Sequence, residues 1–166
     1  TAFAGDIVTV WVDGAEESEE AVSAFIYDGA GDITGVTLYE QHLTFDADEF
    51  GTITNQLLAS YDNIDDEDIM FTVDGSNNLD MCASGVCADA SIYVGPGQSY
   101  LPSTSTAATV DTHDFINDGT IVLDANTFNV SGSWENNATS STDTSTVRLT
   151  AATGTETVTS VEVPLT

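Results

Sequence analysis

The chain has 166 residues, with 28 Asp and Glu against one basic side chain, Arg148, and no lysine, giving a formal net charge of -27. That sign repels nucleic-acid phosphate and anionic lipid, and the missing lysine excludes Schiff-base chemistry, a phosphate-loop lysine and a Lys–Asn isopeptide crosslink. A hydrophobic content of 41% is enough for a folded core rather than a disordered tail, and no run of about 18 apolar residues is present to insert into a bilayer.

In chain order, Ile7, Val8, Thr9, Val10, Trp11 and Val12 form an alternating stretch with two apolar faces, a strand suited to burial between layers. Asp13-Gly14 ends it, and an acidic run from Glu16 to Glu20 follows. Val22–Tyr27, Val36–Tyr39 and residues 42–45 read as strands. Phe50, Ile53, Leu57, Leu58 and Tyr61 then fall on one face of a helix, which predicts a single short helix near 48–61, weakened by Gly51. Ile69–Val73 and Ser91–Val94 read as strands. Residues 95–109, with two prolines and many Ser and Thr, read as a loop or sub-boundary within one domain spanning 1–166.

The last third is rich in β signals. Asp118-Gly119 between Asp114–Asn117 and Thr120–Leu123 predicts a hairpin, and Gly154 between Thr146–Ala151 and Glu156–Val163 predicts another. Ser160 breaks the alternation of the last strand, as a bulge does. No repeat of fixed period stands out. Short strands with polar turns therefore predict an all-β, mainly antiparallel fold, a β-sandwich or jelly-roll-like domain.

A charge of -27 must be screened or neutralised. Molar salt, with a screening length near 3 Å, fits a protein of a salt-adapted source; bound Ca2+ is the other route. Asp62, Asp65, Asp66, Glu67 and Asp68 concentrate hard oxygen ligands, but the loop lacks the glycine and terminal glutamate of a helix–loop–helix Ca2+ site. Cys82 and Cys87, four residues apart around a glycine, predict a small disulfide loop. Sequons at Asn129 and Asn137 offer glycosylation sites. These features, with a start at Thr1 that points to a removed signal peptide, predict an extracellular protein.

His42 and His113 are the two histidines; no Gly-x-Ser-x-Gly or HExxH pattern accompanies them, so no catalytic residue is assigned and no enzyme is expected. Trp11 and Trp134 are expected in the core, with carbohydrate stacking as the functional alternative. Arg148 is expected in a local ion pair, with a subunit contact as its alternative.

The sequence thus predicts a non-enzymatic structural subunit of an extracellular assembly, a surface filament, pilus-like fibre or sheath. It would be a homopolymer held by β-strand pairing, with the stretch Ile7, Val8, Val10, Trp11 and Val12 adding to a neighbour's sheet; the same stretch would otherwise be a strand of its own sheet. The alternatives are a surface or tail protein of a virus of a halophilic host and a secreted Ca2+- or carbohydrate-binding module.

Overall fold

The computed structural model describes residues 2–14, 19–81, 89–141, 144–151 and 156–160. The chain opens with a hairpin: β1 (Ile7–Trp11) pairs antiparallel with β2 (Val22–Ile26). It then winds in coils that lay one strand on each of three sheets, except that the first coil lays two on the third. The first coil holds β3 (His42–Phe45), β4 (Thr52–Ile53), a one-turn helix α1 (Asn55–Leu58), β5 (Thr72–Val73) and β6 (Leu79–Asp80). The second holds β7 (Ser91–Val94), β8 (Ser99–Tyr100) and β9 (Thr109–Thr112). The third holds β10 (Phe115–Asn117), β11 (Thr120–Val122) and β12 (Thr127–Val130). The fourth holds β13 (Trp134–Asn136), β14 (Thr139–Ser141) and β15 (Thr146–Leu149), and β16 (Val158–Ser160) begins another.

The first sheet runs β1-β2-β3-β7-β10-β13-β16, the second β14-β11-β8-β4 and the third β15-β12-β9-β6-β5. Among the described strands only β1–β2 and β5–β6 pair antiparallel; all other pairings are parallel. The protein is a β-solenoid of about six turns, not the antiparallel sandwich or jelly roll that the turn signals predict.

The reason lies at the corners. Asp118-Gly119 does not fold β10 back on β11; it turns the chain from the first sheet into the second, where β11 pairs with β8 and β14. Gly119 is needed because a Cβ there would press on the carbonyl oxygens of Gly95 and Gln98 from the coil before. Likewise β15 joins β12 in the third sheet and β16 joins β13 in the first, so the expected C-terminal hairpin does not form.

The interior is built of side-chain ladders, one rung per coil. Leu43, Ile92, Phe115 and Trp134 are in register in the first sheet, Ile53, Tyr100 and Ile121 in the second, and Leu79, Val110 and Phe128 in the third. All are buried in one core. Aromatic rungs meet at its centre, with Tyr100 5.1 Å from Phe45 and Phe115 5.2 Å from Phe128 between ring centroids. Tyr100 and Ala108 lie within the stretch expected to be a loop or sub-boundary, and both are buried.

The helix near 48–61 shrinks to Asn55–Leu58, capped by the Thr54 hydroxyl, which accepts from Leu57 N. Its apolar spacing is divided among other tasks: Ile53 enters the ladder through β4, Leu58 is buried, and Phe50 and Tyr61 are exposed. Gln98 fixes the residues before it in a non-helical path, donating its side-chain amide to the carbonyls of Ala47 and Glu49. Val36–Tyr39 forms no ladder, and Thr37 N donates to Asp46 O.

Candidate functional site

The two ends of the solenoid are built differently. At the N-terminal end the β1–β2 hairpin lies in the chain's own first sheet, with Ile7, Trp11 and Ile26 packed against the core. Trp11 meets Tyr61 at 5.2 Å between ring centroids, and Gly14 N donates to the Asp68 carboxylate at 2.7 Å. The 61–68 loop and β1 therefore form one surface. This loop also covers the edge of β5: Asn63 N donates to Phe71 O, and Val73 N donates to the Asp62 carboxylate, each at 2.9 Å.

The aspartates of the acidic loop accept from backbone amides, of the loop itself and of Gly14 and Val73. Asp62 is buried and also accepts from Ile64 N, Asp65 accepts from Asp62 N, and Asp66 accepts from Asp68 N. Glu67 is exposed. Among the described residues no three His, Cys, Asp or Glu side chains are grouped to hold a metal ion.

At the C-terminal end β14, β15 and β16 are, among the described residues, each the last strand of their sheets. The ladders run out there. Val147 continues the Phe128 rung, Leu149 the Val130 rung and Val158 the Trp134 rung. Phe128, Val130 and Trp134 are buried, whereas Val147, Leu149 and Val158 are 39%, 46% and 60% exposed. Arg148 sits between two of them on the outer face of the third sheet, in register with Asn129 and, one coil further in, with Asp111. Among the described residues no carboxylate lies within ion-pairing distance of Arg148.

Both histidines line one cleft of about 480 Å3 on the outside of the first sheet, with Glu40, Asp89 and Asp114. His113 Nδ1 lies 3.1 Å from Ser131 Oγ, while its Nε2 is 3.8 Å from Asp89 and 3.9 Å from Asp114. Nucleophile activation needs a carboxylate hydrogen-bonded to the opposite ring nitrogen. Neither acid is that close, and Asp114 is engaged by Ser133 N at 2.5 Å.

Trp134 is stacked in the core on Phe115 and presents no face to a sugar. The Asn129 side-chain amide donates to Asp111 at 2.7 Å on the sheet face; Asn137 is exposed beside Asp118. Cys82 and Cys87 lie outside the described residues. The sequence signal for the open end was present in one form: the only cation of the chain stands in an alternating strand. Its position on the last coil becomes visible only with the parallel register.

No known protein family, curated protein or solved structure matches the chain.

Proposed function

We propose that this chain is a non-enzymatic structural subunit of an extracellular filament or sheath, a homopolymer in which the open C-terminal end of one copy seats on the N-terminal end of the next. The observation that carries this reading is the exposure of Val147, Leu149 and Val158 at the end of otherwise buried ladders. A coil that stacks on its neighbour buries such rungs, and a solenoid gains most of its stability from these nearest-neighbour faces.

The opposite surface is suited to receive it. Natural sheets blunt their edges with lysine, proline or bulges. β1 ends the first sheet with Ile-Val-Thr-Val-Trp and has none of these. The N-terminal strand thus takes part as an edge of its own subunit, and β16 of the preceding copy is the strand that meets it. Val12, Tyr61 and Ile64 add exposed apolar surface at this end. Because every copy is strongly acidic, assembly needs screening, which the composition of a salt-adapted extracellular protein anticipates.

The test is the sedimentation of the purified chain in molar NaCl. Large polymers that Val147→Glu and Leu149→Glu together reduce to folded monomers support the reading. A parent that remains monomeric at every salt and protein concentration overturns it, as happens when the end belongs to a further coil of the same polypeptide.

A further inference from the structure

We infer that Arg148 docks on the acidic 62–68 loop of the next copy and thereby makes the assembly head-to-tail; this rests on the assembly proposed above. The two features occupy opposite edges of one sheet. The third sheet runs β15-β12-β9-β6-β5, with Arg148 on β15 and the 62–68 loop along β5.

The loop changes what kind of contact this edge can make. Because Asn63 N and the Asp62 carboxylate already bond the Phe71 carbonyl and the Val73 amide, β5 has little free edge for a further strand. The first sheet, ending in the bare strand β1, is left for strand pairing. The third sheet presents charge instead: Asp65 and Glu67 are exposed and Asp66 is half-buried. An arginine one strand spacing away, about 4.8 Å, reaches such a surface with its full side-chain length.

Electrostatics then selects the polarity. Two C-terminal ends face to face oppose the only two cations of the pair, and two N-terminal ends oppose two acidic loops. The head-to-tail approach sets Arg148 against the carboxylates of this loop. A contact between two unlike patches is heterologous, so it propagates as an open polymer rather than closing as a two-fold dimer. In a pair of chains at -27 each, the single cation lowers the repulsion that this approach meets.

The experiment compares the NaCl concentration at which half the protein sediments as polymer for the parent, Arg148→Glu, Glu67→Arg and the double exchange, with circular dichroism confirming that each is folded. Glu67 is chosen because its side chain is exposed and only its backbone carbonyl is used, by the Asn63 amide. The expected result is a rise of about twofold or more in the salt midpoint for Arg148→Glu, with recovery toward the parent in the double exchange. An unchanged midpoint in Arg148→Glu, or a double exchange no better than Arg148→Glu alone, overturns this inference while leaving the assembly standing. A parent that forms no polymer overturns the assembly reading itself.

Discussion

The rings of Phe115 and Trp134, one coil apart in the first sheet, stack with centroids 4.8 Å apart and planes inclined by 15°. That spacing is the strand-to-strand distance of a parallel sheet, so the pair is a direct consequence of in-register winding. Phe128 lies edge-on to both, at 5.2 Å and 5.7 Å. Trp134→Ala opens a cavity in the last complete coil and is expected to lower stability by about 3–5 kcal/mol. Urea unfolding checks this. Trp134→Phe keeps the stack and should lose much less, and equal losses in the two variants would contradict the stacked-ladder description.

Two asparagines make the polar counterpart of that ladder. Asn117 donates to Asn136 at 2.6 Å and to the Thr139 carbonyl at 3.2 Å, and its own oxygen accepts from Gly119 N. Both side chains are buried. Asn136→Ala strands a buried amide donor and is expected to cost about 1–3 kcal/mol. A double-mutant cycle with Asn117→Ala should show coupling, since residues in one hydrogen-bonded network are not additive.

Much of the strand content was legible in the sequence; the way the strands pair was not. Ile7–Val12, read from its alternation, and Val22–Tyr27, residues 42–45 and Ser91–Val94 all read as strands and contain β1, β2, β3 and β7. Asp118-Gly119, however, is compatible with either a hairpin turn or a coil corner, and the tertiary contact of Gly119 with Gly95 decides between them. The winding leaves a trace in the numbering, a step of 19 residues from Phe115 to Trp134, Thr120 to Thr139 and Thr127 to Thr146. The preceding coils hide it: Leu43 pairs with Ile92 across the inserted α1 and acidic loop, and Ile92 with Phe115 across a different spacing. A search for a fixed period therefore finds none. At the candidate site the apolar β1 and the lone arginine were visible, but the exposed ends of the ladders depend on knowing which strands come last.

The carboxylates of Asp48 and Asp74 are held below their ordinary range. For Asp48 the Thr34 hydroxyl is the main cause, followed by the Thr34 backbone amide. For Asp74 it is the Asn78 backbone amide, followed by the Asn78 side chain and Ser76 N. A lowered folded-state pKa contributes stability that is present above the unfolded value, about 3.9, and lost as pH falls through the folded value. Asp74→Ala should therefore be less stable than the parent at neutral pH, and the gap in urea midpoint should narrow below about pH 4. A gap independent of pH would show that the turn at 74–78 does not depend on the ionised carboxylate.

Deleting residues 1–12 removes β1 and its pairing with β2 while leaving every parallel coil intact. In a fold stabilised coil by coil, the loss stays near the end where it is made. The truncated chain should fold, melt at a moderately lower temperature and fail to polymerise in molar salt. Global unfolding of the truncated chain would mean that the hairpin nucleates the solenoid rather than ending it.

The most direct measurement is electron cryomicroscopy with diffraction from oriented material kept in molar salt. Stacked solenoids place their strands across the filament axis. The account predicts a meridional spacing of about 4.8 Å together with a subunit repeat near 30–35 Å, set by some six or seven strand layers. Filaments without the 4.8 Å spacing along their axis, or only dispersed single subunits, would contradict end-to-end assembly.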